Sequence, residues 1–478
     1  MVNLLRAGKN ALMLFSGTAA RMVATFVFVI FSANHLGPEG FGKYSLVVHY
    51  FELFVSLTAT ATGILLIREI ASRPDDRDKL ISAALVLSSS LALVAPLLLI
   101  PLSLRFGYSS ETIWGIGVAC LGLIPAAIAA VYEAVFVAKE RAEFVTVGIA
   151  IECIFRIGIS ILLLFLGYGI VALSVVLVFS RVVLAVTYVF LLRSICDHRL
   201  AGCRETIWQF ARRWRVFAAE NWMATIYTNL DVIVLSSIPG GEVAVGLYSA
   251  AWRYVRLGTV AAKSFTTAIF PTMTRMHTES NQAFQSIFSQ TFRVMVMTAL
   301  PVIALVTVVP DRVVELLFKK DYAGSAPILQ ILIWALLLEI INPFLSHVLF
   351  SKGRQRFSMY VAAIGLAVNL TLMLLLVPRL GPRGAALACV ITGTVATGCY
   401  LASVADLSTF LELSREFLRI IIAAVVMGIG VYFVREQSWG IIGLVSITTY
   451  GLLLLLVQGL RSSDLQFIRQ NFRQRAIA

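Results

Sequence analysis

The stretch Ala11–Ala33, ALMLFSGTAARMVATFVFVIFSA, decides the fold class of this chain. It carries one ionisable side chain, that of Arg21, and as a helix it is long enough to cross a hydrocarbon core of about 30 Å. Backbone that faces lipid has to satisfy its own hydrogen bonds, so we expect the stretch to be a helix. Comparable apolar runs recur along the whole chain, and the sequence therefore predicts an all-α, polytopic membrane protein.

The composition agrees with a chain that has little soluble structure. Hydrophobic residues make up 59% of the 478 positions and charged residues 14%, against roughly 25% charged in soluble domains. The formal net charge of +13 would also suit a nucleic-acid-binding protein, but the basic residues lie in short loops between apolar runs, where they set membrane orientation. We therefore expect contact with membrane lipids and no nucleic-acid partner.

The apolar runs predict fourteen transmembrane spans. They lie near 10–33, 43–67, 80–104, 111–137, 143–166, 169–192, 210–237, 243–270, 287–310, 323–350, 357–378, 383–405, 414–434 and 438–460. With the amino terminus in the cytoplasm, 24 of the 39 lysines and arginines fall on the inner side and 8 on the outer side. This bias predicts a multi-pass protein of the plasma (inner) membrane with both termini in the cytoplasm.

An internal repeat divides the predicted spans. FGKYS at 41–45 opens span two and VGLYS at 245–249 opens span eight, and a second pair of matches precedes spans five and six and spans eleven and twelve. An even number of spans in each half predicts parallel repeats related by an axis along the membrane normal. We expect an N-lobe over 1–192, a cytoplasmic linker over 193–209, a C-lobe over 210–405, and two further spans with a basic tail over 406–478.

No catalytic, cofactor or metal site is indicated. The cysteines form no Cys-x-x-Cys pair, and the sequence has no phosphate-binding P-loop, no Gly-x-Ser-x-Gly elbow and no His-Glu-x-x-His motif. Its six cysteines are scattered at 120, 153, 196, 203, 389 and 399. We therefore predict a chain that is not an enzyme and needs no cofactor.

Charged residues inside the predicted spans are the candidate functional residues. Each costs roughly 2.5–3.5 kcal/mol to insert, so it has to be paired or face water. Arg21, Arg253 and Arg256 are deep and have no acidic residue three or four positions away. Glu152 and Arg156, four residues apart with the acid first, suit a structural ion pair, whereas for Arg181 a structural tie and a cavity-lining role are equally compatible with the sequence.

Guanidinium groups in a cavity suit a phosphate ligand, because their planar fork donates two hydrogen bonds and stays charged when desolvated. Arg21, Arg253 and Arg256 are thus candidate substrate-binding residues for an anionic lipid headgroup. Glu52, Glu220 and Asp231 either balance these arginines or take up a proton or sodium ion during transport, and the sequence leaves both open.

Several motifs make the chain resemble the polysaccharide-biosynthesis flippases of the multidrug/oligosaccharidyl-lipid/polysaccharide exporter superfamily. They are LGPEGFGKYS at 36–45, IREIA at 67–71, the segment 229–235 with Asp231, VGLYSAA at 245–251, Phe270-Pro271 and LGPRGAA at 380–386. The likeness covers about residues 10 to 405 and rests on no catalytic motif.

The resemblance implies a two-lobed, V-shaped helical bundle that moves polyprenyl-pyrophosphate-linked oligosaccharides to the outer leaflet by alternating access. It also implies a cationic cavity with Arg21 and Arg253 at matching positions, to which we add Arg256. Two alternatives stay open: a cation-coupled multidrug exporter of the same superfamily, which needs an acidic cavity, and a membrane glycan polymerase or ligase, which generally needs a large outer loop.

Overall fold

The computed structural model describes residues 2–193, 204–259, 281–352, 354–404 and 407–456, with side chains over 21–193, 204–219, 221–259, 285–352, 354, 356–404 and 417–456. No β-strand occurs within these ranges. The predicted all-α fold is therefore confirmed. Most of the predicted linker, Phe270-Pro271 and the basic tail after residue 456 lie outside the described residues.

The chain forms two compact units, Met1–Gly246 and Leu247–Ala478. The helices of the first unit are α1 (Val2–Val55), α2 (Ala61–Ser72), α3 (Arg77–Arg105), α4 (Ser110–Leu121), α5 (Leu123–Ala138), α6 (Ala142–Phe165), α7 (Ile170–Arg193) and α8 (Arg204–Ser236). A further helix, α9, is described over 241–259. The second unit continues with α10 (Asn281–Val308), α11 (Pro310–Leu317), α12 (Ala326–Leu332), α13 (Trp334–Ser351), α14 (Gln355–Leu380), α15 (Pro382–Val404), α16 (Leu407–Phe433) and α17 (Trp439–Leu456).

The described helices overlap the predicted spans, although span ten is divided between α12 and α13. Two other breaks have local causes. Spans one and two run on through α1 into α2, with a break in α1 at Gly37, where φ is +71°. Glycine adopts this backbone conformation without a Cβ clash, and the helix restarts at Pro38. Span four is bent by 42° between α4 and α5, at Gly122. Nine helices within the described ranges are long and apolar enough to cross a membrane, or ten if this bent pair is one span, so the count of fourteen stays a prediction.

One hydrophobic cluster of the first unit lies between α2, α3, α5, α6, α7 and α8. Leu66, Ile81, Val135 and Tyr188 are fully or almost fully buried there. Helix α8, which the repeat assigns to the second half, packs against α2 and α3. The division into lobes over 1–192 and 210–405 stays a prediction.

In the second unit, α14 and α15 form an antiparallel pair around a tight turn. Gly381 has φ +57°, and a Cβ on Gly384 would lie 2.4 Å from the carbonyl oxygen of Leu376. Only glycines permit this turn. The pair is then tied to α13, where the Asn342 side chain donates to the Gly393 carbonyl and accepts from Thr397 at 2.7 Å.

Candidate functional site

Six charged side chains from four helices of the first unit form a connected group inside the predicted spans. One ion pair joins α1 to α7: a terminal nitrogen of Arg181 lies 2.7 Å from Oε1 of Glu52. The guanidinium also lies 5.4 Å from the centre of the Phe51 ring, a distance at which the ring face attracts a cation. Arg181, for which the sequence left two roles open, thus has a carboxylate partner 129 positions away.

The second ion pair of this group lies within one helix. Nε of Arg156 is 3.5 Å from Oε1 of Glu152, one helical turn earlier in α6. Glu152 is almost fully buried. The structural pairing that the i, i+4 spacing predicted is confirmed.

Arg21 and Glu133 complete the group. Arg21 is exposed, and its charge lies within electrostatic reach of the Glu133 carboxylate, which also interacts with Arg181. Glu133, on α5, makes no hydrogen bond or ion pair with another described residue. Sequence reasoning missed Glu133, although an acidic residue inside predicted span four was the signal that marked it.

In the second unit, Arg253 and Arg256 lie one turn apart on α9, so they share a face of the helix. Arg253 is half-buried and Arg256 is exposed. The same helix is anchored by Tyr254, whose hydroxyl donates to the Val313 carbonyl of α11 at 2.9 Å. This anchor fixes the backbone positions of Arg253 and Arg256 relative to α11.

The acidic candidates have different surroundings. Glu52 pairs with Arg181 as described above, so it balances an arginine that was not among the three candidates. Asp231, half-buried on α8, accepts a hydrogen bond from the backbone N–H of Val232 at 2.9 Å. The side chain of Glu220 lies outside the described residues.

The two repeat motifs touch each other within the first unit. A Cβ on Gly42 would lie 1.7 Å from the carbonyl oxygen of Glu242, and a Cβ on Gly246 would lie 2.0 Å from the carbonyl oxygen of Pro38. Pro38 corresponds to Glu242, and Gly42 to Gly246, at the repeat offset of 204. The contact is therefore reciprocal, and small residues are required because the backbones approach so closely.

A polar network surrounds this glycine contact. Oε1 of Glu242 accepts hydrogen bonds from the backbone N–H and the hydroxyl of Ser109, at 3.0 and 2.8 Å, and from the Thr112 hydroxyl at 2.6 Å. These groups lie at the start of α4, where unpaired N–H donors favour a negative charge. The network fixes the start of α9 to α4, and no sequence motif indicated it.

Tyr108, in the turn between α3 and α4, extends the network. Its hydroxyl lies 2.8 Å from that of Tyr50 and 2.6 Å from the Ser236 hydroxyl at the end of α8. Burial raises the pKa of Tyr108, so its phenol stays protonated at neutral pH and can donate a hydrogen bond to one of these two hydroxyls. The turn is thereby tied to both α1 and α8.

A π-helical turn, Ser56–Thr60, joins α1 to α2 and supplies acceptors to α8. Asn221 donates to the Ser56 carbonyl at 2.9 Å, and the Trp222 indole donates to the Leu57 carbonyl at 2.8 Å. π-Helical turns displace the regular hydrogen-bond ladder and often occur at functional positions. In this chain the turn lets α8 bind directly to the backbone between α1 and α2.

Arg213 and Glu69 hold α8 to α2 as well. One guanidinium nitrogen of Arg213 lies 2.7 and 2.8 Å from the two carboxylate oxygens of Glu69. Glu69 is buried and belongs to the IREIA motif at 67–71. This part of the family-like pattern therefore has a structural role in the first unit.

Comparison with known protein families identifies the family of this chain. A family model described as "Polysaccharide biosynthesis protein" matches residues 7–277, which is more than half of the 478 positions. The chain belongs to this polysaccharide biosynthesis protein family. A second model, described as "Lipid II flippase MurJ", matches residues 230–450.

Curated relatives of this polysaccharide biosynthesis protein are distant. A putative O-antigen transporter of Shigella flexneri is 24% identical over 406 residues, which cover 79% of this chain and 93% of the relative. A probable low-salt glycan biosynthesis flippase, Agl15 of Haloferax volcanii, is 22% identical over 181 residues, 37% of this chain and 38% of the relative. The match to an uncharacterised membrane protein of Methanocaldococcus jannaschii, MJ1068, spans 41% of that protein.

Solved structures show the fold of this family member. The lipid II flippase MurJ in an inward closed conformation superposes with a TM-score of 0.77 at 18% identity, covering 95% of this chain and 99% of that one. An inward-facing multidrug resistance MATE family transporter of the MOP superfamily gives 0.65 at 18% identity, covering 82% and 94%. The fold is MurJ-like.

Proposed function

We propose that this chain is a flippase that moves a polyprenyl-pyrophosphate-linked oligosaccharide from the inner to the outer leaflet of the plasma membrane by alternating access. Membership of the polysaccharide biosynthesis family and the transporter and flippase names of two relatives support it. The oligosaccharide delivered to the outer leaflet would then be used in cell-surface polysaccharide synthesis. In this proposal both termini lie in the cytoplasm. The two halves that alternate access are the predicted lobes over 1–192 and 210–405.

The observation that carries the proposal is the placement of guanidinium groups inside the spans. Arg21 is exposed in the first unit, while Arg253 and Arg256 share a face of α9. A pyrophosphate group cannot cross hydrocarbon without compensating charge, because an isolated buried ion costs many kcal/mol. Arginine supplies that charge with two parallel hydrogen bonds and without losing its proton. We therefore assign Arg21, Arg253 and Arg256 to pyrophosphate binding.

The acidic residues are assigned to charge balance. Glu52, Glu220 and Asp231 offset the arginines when the substrate is absent, and uptake of a proton or a sodium ion by one of them would couple transport to an ion gradient. The placement of Glu52 beside Arg181 supports the balancing role for that residue.

A charge reversal tests the proposal. Cells that lack the protein should accumulate lipid-linked glycan on the inner leaflet, measured as resistance of the glycan to a glycosidase added to intact spheroplasts. Arg253→Glu should fail to restore surface glycan at normal protein level, because a carboxylate repels the pyrophosphate. Arg379→Glu, an equal charge reversal at an exposed position in the last turn of α14, serves as the control and should restore it. An unchanged leaflet distribution in the deletion strain would refute the function.

The likeness in fold to a multidrug transporter supports a second candidate, export of cationic drugs coupled to a cation. The two functions differ in the charge of the substrate. Expression in a drug-sensitive host would raise resistance to cationic dyes if the chain were an exporter, and would leave resistance unchanged for a flippase.

A further inference from the structure

The Arg181–Glu52 pair differs from the Glu152–Arg156 pair in how much of its carboxylate side chain is accessible. The Glu52 side chain retains 49% of its accessible surface and the Arg181 side chain 15%. By contrast, Glu152 and Arg156 retain 4% and 12% and lie on one helix. The Glu52 carboxylate can therefore be displaced from Arg181 without first being uncovered, whereas Arg181, which is largely buried, needs a replacement anion when Glu52 leaves.

The ion pair with Glu52 does not use all the hydrogen-bond donors of the Arg181 guanidinium. Its Nε is buried and has no hydrogen-bond partner among the described residues, and the contact with Glu52 uses one terminal nitrogen. A guanidinium group has five N–H donors in a planar fork. The donors on the terminal nitrogens that Glu52 does not use would bind a ligand that offers more oxygens than one carboxylate, whereas the buried Nε is out of reach of a ligand.

Arg181 is also held in place without Glu52. The Phe51 ring lies under the guanidinium at 5.4 Å, and the Glu133 carboxylate acts on the same charge. Departure of Glu52 would thus leave an oriented cation within the same group of charges as Arg21. Phosphate oxygens bind such a group more strongly than water does.

We propose that Arg181 is a further phosphate-binding residue of the transport path, and that Glu52 is its resident counter-ion, displaced by the substrate pyrophosphate and restored when the substrate leaves. This inference rests on the proposed flippase function. In this proposal Glu52 competes with the substrate pyrophosphate for Arg181. The same carboxylate therefore weakens substrate binding and speeds substrate release.

The test measures binding of farnesyl pyrophosphate, a short polyprenyl pyrophosphate, to the purified full-length chain in nanodiscs. Glu52→Gln should tighten binding about fivefold, because the competing charge is gone. Arg181→Gln should weaken it about tenfold or more, because charged hydrogen bonds are lost. In the Arg181→Gln background, Glu52→Gln should have no effect, since there is no longer a guanidinium for which to compete.

The matched control is the Arg141–Glu143 pair, which is similarly close at 3.0 Å and lies at the start of α6. Arg141→Gln and Glu143→Gln should bind like the wild type. Arg181→Lys keeps the positive charge and should retain part of the affinity. It controls for the possibility that Arg181→Gln loses binding because the protein misfolds. Thermal melting of each variant shows that the bundle is intact.

The outcomes separate the two proposals. If the wild type binds farnesyl pyrophosphate no better than farnesol, the flippase proposal itself is refuted. If the wild type binds it but Glu52→Gln weakens binding, or if the effects of Glu52→Gln and Arg181→Gln add independently, the exchange of counter-ion for substrate is wrong while the flippase proposal stands.

Discussion

The reciprocal glycine contact leads to a sharp prediction about Gly42→Ala. The added Cβ would lie 1.7 Å from the Glu242 carbonyl oxygen, 2.7 Å from its carbon and 3.0 Å from the Gly246 nitrogen. All three atoms belong to backbone, which cannot rotate away as a side chain can. The two segments would have to separate by about 1.5 Å to restore ordinary contact, and overpacking of this kind costs about 1–3 kcal/mol or more.

Thermal melting of detergent-solubilised protein, followed by size-exclusion chromatography, measures this cost. Gly42→Ala should lower the melting temperature, and so should Gly246→Ala, which places a Cβ 2.0 Å from the Pro38 carbonyl oxygen. The double variant should lose less than the sum of the two, because one separation relieves both clashes.

The control is Gly158→Ala in α6, where a Cβ would meet no atom within 4 Å. This change should leave stability unchanged or raise it by about 0.5–1 kcal/mol, because alanine favours a helix over glycine. If Gly42→Ala melted at the same temperature as Gly158→Ala, the close backbone approach would not exist and the reasoning would fail.

Two further changes test single contacts by the same melting assay. Glu242→Ala should destabilise the chain by about 1–3 kcal/mol, because it deprives the N–H and hydroxyl of Ser109 of their acceptor; equal stability would show that another acceptor replaces it. Arg312, which donates to the carbonyl oxygens of Arg435 and Gln437, should tolerate lysine better than alanine, and an alanine variant as stable as the wild type would contradict its role in holding the turn before α17.

The sequence predicted what depends on local spacing. Apolar length predicted the helices, and the break at Gly37 lies in the interval that separates predicted spans one and two. The spacing of Glu152 and Arg156 predicted their ion pair, because helical geometry brings positions four apart together.

The sequence could not predict contacts between distant segments. Arg181 meets Glu52 across 129 positions, and Glu242 caps a helix that begins 132 positions earlier, at Ser110; no spacing rule connects such residues. The same applies to Glu133, which looks like any acidic residue in a span until α1 and α7 bring arginines near it. The bend at Gly122 was missed for another reason: glycine is frequent in transmembrane helices, so a glycine inside an apolar run does not by itself indicate a bend.

The pairing of Gly42 with Glu242 and of Gly246 with Pro38 has the form of an isologous interface, in which the same surface serves both partners about a two-fold axis. In an interface of that form, every substitution acts twice, once on each side of the axis. In the present chain the two sides are separate positions, so each glycine can be altered by itself, but the separation that either change forces is felt at both contacts.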